Sequence, residues 1–286
     1  MKSVRALVAG GLALVLSVPR VAPAAAVAQS GPAPGSLHQV FDQLLDVDVR
    51  DGLVYYRAVQ SERARLGRYL ASLDLPTGTL QSWSREEQIA FWINAYNAFV
   101  IDTVVSNYPI RGKSADYPAN SLRQVVGAFE RLKHRVAGKS LALDEIEKNE
   151  LASFNDPRVF LALGRGALGG GRLRSEACTG ARLGEQLEAV SAECVRRAAC
   201  VSIDRATDVV SISPVFSWRE EAFSASYAPR APAAYGARSL IERAIVAFVL
   251  PYALPLEKDM LALNTFRVAY RTFDWRLNDL SGGPPQ

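Results

Sequence analysis

The stretch from Arg85 to Ser106 limits what this chain can become more than any other segment. It contains FWINAYNAFVIDTVV, and its apolar residues recur on every side of a 3.6-residue period. Ser84-x-x-Glu87 ahead of it has the spacing of a capping box, so a helix is predicted to start at Arg85 and run to about Ser106. A helix that is apolar all round is stable in water only when other elements cover each of its faces. The chain has 286 residues, 49% of them hydrophobic and 22% charged. That is enough to surround such a helix, and it excludes disordered and collagen-like classes.

Around this centre the pattern predicts a single mixed α+β domain with more helix than strand. Helices are expected from Ser36-x-x-Gln39 through Leu45, over Ser61–Leu73, from Ser121-x-x-Gln124 through Leu132, from Asp144, over Leu183–Ala199 and over Ser239–Leu250. Short extended pieces are expected after Gly52, in a hairpin about Gly138-Lys139, at Val159–Leu163, across Asp204-Arg205 and at Phe266–Phe273. Strands and helices do not alternate evenly, so a doubly wound sheet is disfavoured. Leu240–Leu256 is apolar but interrupted by Glu242, Arg243, Pro251 and Pro255, so a buried helix stopping at Pro251 is expected there.

The N-terminus reads as a secretory leader. Lys2 and Arg5 precede a 13-residue apolar run, Pro19 breaks it, and Ala26-Val27-Ala28 forms an A-x-A cleavage site. The division expected is residues 1–28 as signal peptide, 29–35 as a flexible lead, 36–280 as one globular domain and 281–286 as a loose tail. Cleavage after Ala28 would leave the protein periplasmic or secreted, with no membrane span. An uncleaved anchor is the alternative. The formal charge of +4 then needs correcting. Residues 1–28 hold three basic residues and no acid, so the rest of the chain carries +1. Nucleic acid is therefore not an expected partner.

Cys178, Cys194 and Cys200 form an odd set: either Cys194 pairs with Cys200 and Cys178 is left free, or all three stay reduced. Two histidines give no basis for a metal site, and no cofactor is expected. Gly164-Arg165-Gly166-Ala167-Leu168-Gly169 fits G-x-G-x-x-G, but Gly170 and Gly171 follow where a helix should open, so a dinucleotide site is not supported. Arg165, Arg172 and Arg174 in this loop suit a carboxylate or phosphate, with glycine amides beside them. Alternatively they pair with Glu145, Glu147, Glu176 or Asp274. Asn94 and Asn97 share a face of the central helix and must bond something once buried: either loop backbone or a ligand. A thiol mechanism would have to use Cys178 with His134, since His38 is read as peripheral; Glu147 with Asp274 is the acid–base alternative.

Several motifs then occur in order: WINAYNAF in residues 92–99, Gly138-Lys139 followed by LxLDEIE in residues 141–147, Asp156-Pro157-Arg158, Phe216-x-Trp218 and Phe273-Asp274-Trp275-x-Leu277-Asn278. Together they resemble the domain-of-unknown-function 547 family over about residues 37–279. The resemblance carries no established activity. It implies a loop with a histidine, two cysteines and a proline at the positions of Phe160, Arg165, Gly170 and Gly171. Here the thiols are absent and one position is an arginine. The family's W-Y-x-x-D-F stretch stands as Trp218-Arg219-Glu220-Glu221-Ala222-Phe223, without its aspartate.

The function expected from these readings is a non-catalytic binding domain for a small anionic or cell-envelope ligand. Its site would be formed where Asn94, Asn97, Arg165, Arg172, Trp218, Asp274 and Asn278 converge. An envelope-acting hydrolase or transferase, and a structural or partner-binding module, are the alternatives. The oligomeric state is left open.

Overall fold

A computed structural model describes residues 33–281. The leader expected at residues 1–28, most of the lead at 29–35 and residues 282–286 lie outside the described residues. Helices α1 (Pro34–Leu37), α2 (Gln39–Asp48), α3 (Tyr56–Ser61) and α4 (Arg63–Ser72) build the N-terminal part, with a two-residue hairpin, β1 (Val49–Arg50) and β2 (Leu53–Val54), between α2 and α3. Ser36 does not cap α2. It lies inside α1, and its hydroxyl donates to the Ala33 carbonyl at 2.9 Å.

The long helix α5 (Arg85–Asn107) is the centre of the molecule. Ser84 Oγ accepts from the Glu87 amide at 3.2 Å and Glu87 Oε2 accepts from the Ser84 amide at 2.9 Å, completing the capping box. Almost every side chain from Ile89 to Val105 is buried. The helix is long and apolar enough to cross a membrane, yet 89% of its most apolar window is covered by the rest of the fold. Helices α3 and α4 cover one part of it, and α6 (Leu143–Glu145) with a π-helical turn at Ile146–Leu151 covers another.

The hairpin β3 (His134–Val136) with β4 (Lys139–Leu141) forms about Ala137-Gly138. The expected helix from Ser121 does not. Only a turn at Leu122–Gln124 forms, because Ser121 Oγ accepts from the Arg123 amide and the Gln124 side chain folds away to Ser114 and Tyr117. Gly127 then takes a positive φ, which breaks any continuation. Val159–Leu163 is not a strand either. Asp156 caps and Pro157 opens a 3₁₀ turn over Pro157–Leu161.

Helix α7 (Leu183–Arg196) leads into β5 (Val201–Asp204), and a Cys194–Cys200 disulfide spans the junction, leaving Cys178 free. β5 pairs antiparallel with β6 (Val209–Ile212). Helices α8 (Val215–Trp218), α9 (Glu220–Tyr227), α10 (Leu240–Val249) and α11 (Pro255–Leu263) follow, and β7 (Arg267–Tyr270) returns parallel to β6. Helix outweighs strand, as the α+β reading expects. The described residues form one compact unit.

Both histidines are inside. His38 is not peripheral: it is buried, with Nδ1 2.8 Å from the Tyr69 hydroxyl. His134 stacks on Phe99 at 4.4 Å. Burial lowers each imidazole to about 4. The unfolded chain protonates them near 6.5, so between the two values the unfolded state binds more protons. Stability is thus predicted to fall as the pH drops from about 6.5 towards 4, by at most about 3 kcal/mol per histidine. Urea unfolding across that range should show the loss, and His134→Phe should flatten it relative to the parent.

Candidate functional site

The two amides on α5 face loop backbone. Asn94 Nδ2 donates to the Cys178 carbonyl at 2.8 Å and Asn94 Oδ1 accepts from the Cys178 amide at 2.9 Å. Asn97 does the same for the glycine loop, donating to the Ala162 carbonyl at 3.1 Å and accepting from the Gly164 amide at 2.9 Å. Both side-chain amides are thus bonded to loop backbone. The glycine amides are spent as well. Gly169 donates to the Asp274 carbonyl, Gly170 to that of Ala167 and Gly171 to that of Leu163. A Cβ on Gly170 or Gly171 would collide with the carbonyls of Gly164 and Leu161. Glycine is needed here for close backbone packing, and these amides do not form an anion nest.

The charge in the loop is used differently. Arg165 sits at φ +53°, a left-handed conformation that a non-glycine residue keeps only when its surroundings fix it. Its guanidinium is buried. Nη1 donates to the carbonyls of Phe160 and Leu163, and Nη2 donates to Glu147 Oε1 at 2.6 Å. Glu147 comes from the π-helical turn, a distortion frequent at functional sites. Arg219, between α8 and α9, donates to the same oxygen from Nη2 at 2.7 Å and Nε at 3.1 Å. Burial alone would raise the Glu147 pKa. The positive charges of Arg165 and Arg219 outweigh it, and the carboxyl is held below its usual value.

This triad forms the floor of a cavity of about 310 Å³. Trp218, Trp275 and Phe129 supply aromatic walls. Trp218 remains 42% exposed, with the Arg165 guanidinium 5.8 Å from its ring centre. Trp275 lies 6.2 Å from Trp218, nearly parallel to it, and Arg123 stands 4.7 Å above its ring. Lys148 and Asp144, which pair at 2.5 Å, complete the rim. Arg123 pairs with Glu130. Over these ion pairs the two guanidinia on one carboxylate leave one positive charge in surplus.

Residues 80–194 match the family described as protein of unknown function, DUF547. The chain carries a domain of this family. No curated protein and no solved structure matches it. The DUF547 match covers Glu147 and Arg165, while Trp218, Arg219 and Trp275 lie beyond it. Segments of LxLDEIE, the glycine loop, Phe-x-Trp and Phe-Asp-Trp therefore meet at one cavity across the boundary of the match.

Of the seven residues expected to converge, only Arg165 and Trp218 line this cavity. Arg172 belongs to another groove, bonded to Asp51 and, at 2.5 Å, to Glu193. Asp274 is turned onto its neighbour Arg276 at 2.6 Å. Asn278 accepts from the Tyr56 hydroxyl at 2.7 Å and donates to the Gly52 carbonyl at 2.9 Å, tying the C-terminal segment to the first hairpin. Sequence reasoning missed Arg123, Lys148, Arg219 and Trp275 as lining residues. Arg219 and Trp275 sit inside or beside recognised motifs, whereas nothing in the sequence marks Arg123.

The thiol arrangement is not assembled. Burial pushes the Cys178 thiol up to about 12, and no hydrogen bond joins it to His134 among the described residues.

Removing Arg165 leaves a buried carboxylate with a single partner, so Arg165→Ala is predicted to cost about 3–5 kcal/mol in DUF547-domain stability. Arg172→Ala, at a more exposed network, should cost about 1 kcal/mol or less. Urea denaturation of both variants checks the contrast.

Proposed function

We propose that the protein is a non-catalytic binding protein whose cavity between Arg165, Arg219 and Trp218 takes a small organic anion. The observation that carries this reading is the single buried carboxylate shared by two guanidinia, beneath an open aromatic wall. Arg219 spends two donor contacts on Glu147 Oε1 and one, at 3.5 Å, on the carbonyl of the preceding Trp218, and it retains N–H groups for a ligand. The charge surplus favours an anion, and indole faces add contact area with specific geometry.

The chemistry of the carboxyls supports binding over acid–base catalysis. A general acid needs a proton near neutral pH. Glu147 and Asp274 both lie below their usual pKa, Glu147 because its arginines outweigh burial and Asp274 because Arg276 bonds it. We further propose export to the periplasm or beyond, with a cell-envelope component as ligand. The leader-like residues 1–28 and the Cys194–Cys200 disulfide support that reading.

Thermal shift of the purified protein with small monocarboxylates tests the site. A ligand present at about 100 times its Kd should stabilise the protein by about 2.7 kcal/mol. Trp218→Ala and Arg219→Ala should remove the shift, and Arg172→Ala should keep it. A shift retained by all three variants would place binding elsewhere.

A further inference from the structure

We propose that the ligand class is a sugar acid: a single saccharide ring carrying one carboxylate and free hydroxyls. This rests on the anion-binding reading above. The first observation is the mixed hydrogen-bonding character of the floor. All three bonds to Glu147 fall on Oε1, which leaves Oε2 without a donor among the described residues while Glu147 lines the cavity. An ionised carboxylate only accepts hydrogen bonds, and the arginines beside it only donate. A ligand matching both needs hydroxyl donors as well as an anionic acceptor.

The charge count narrows this further. One surplus positive charge balances one carboxylate. A phosphomonoester carries close to two negative charges at pH 7 and would set its oxygens against Glu147 Oε2. A benzoate-like aromatic acid satisfies the guanidinium and the indoles but offers Oε2 nothing. A sugar acid places its carboxylate on Arg219, a hydroxyl on Glu147 and the C–H face of its ring on Trp218, whose indole face carries negative charge density. The aromatic side is already built for this. Trp218 packs on Phe273 at 4.9 Å and Phe273 on Trp275 at 4.4 Å, so the exposed indole is braced from behind. The volume of about 310 Å³ stands at the lower end of small-molecule sites, about 300–1,000 Å³, and fits one ring better than a chain of several.

Equilibrium titrations with glucuronate, glucose, acetate, benzoate and inorganic phosphate decide the matter. Glucuronate should bind at least about tenfold more tightly than any of the other four, about 1.4 kcal/mol. Trp218→Ala should bring glucuronate close to acetate, Trp218→Phe should retain part of the preference, and Arg172→Ala should leave it unchanged. Benzoate or phosphate binding as tightly as glucuronate would overturn the sugar-acid class and leave an anion site standing. Acetate binding as tightly as glucuronate would do the same. Glucose matching glucuronate, or no binding by any probe, would overturn both readings.

Discussion

Glu147 Oε1 accepts hydrogen bonds from two arginines inside the protein, and the surrounding architecture depends on that one oxygen. A buried carboxylate is costly unless paired, and a buried guanidinium likewise. Sharing the oxygen makes three separate segments interdependent: the π-helical turn after α6, the glycine loop and the α8–α9 junction. It also leaves one positive charge in surplus over the ion pairs of the described residues around the cavity. Such a residue of unmatched charge at the base of an open cavity is what distinguishes this place from the paired arginines at Arg172 and Arg276.

The triad is held in position by neutral ties. Asn94 and Asn97 bind the Cys178 segment and the glycine loop to opposite ends of one turn of α5. The close approach of Gly170 and Gly171 to neighbouring carbonyls then leaves the loop little freedom, and Arg165 keeps its left-handed backbone. Tyr96, on the same helix, has a buried hydroxyl without a partner among the described residues, and burial with the nearby Glu147 charge keeps its phenol protonated. Helix α5 is thus both the hydrophobic centre of the fold and the fixed point from which the charged floor is hung.

Much of this was legible in the sequence. The all-round apolar pattern and the Ser84–Glu87 box identified α5, and the alternation about Gly138 and Asp204 identified two hairpins. Local patterns failed where a side chain had a competing partner. Gln124 has capping spacing but bonds Ser114 and Tyr117, and Ser36 bonds backward to Ala33. The site was only half legible for a related reason. Asn94 and Asn97 were expected to need partners once buried, but nothing in a sequence says whether backbone or ligand supplies them. Arg219 and Trp275 reach the cavity through tertiary packing of segments more than 50 residues apart. Their motifs marked the segments without indicating which side chain turns inward.

The chain has four tryptophans, and this allows a direct test of the central claim that the cavity beside Trp218 and Trp275 is the binding site. Trp83 and Trp92 pack around Phe91 and do not line this cavity. The measurement is an NMR titration of the assigned indole N–H signals with glucuronate. Trp218 and Trp275 are expected to shift together along one saturation curve while Trp83 and Trp92 stay in place. Saturable binding that leaves the Trp218 and Trp275 signals unmoved would contradict it.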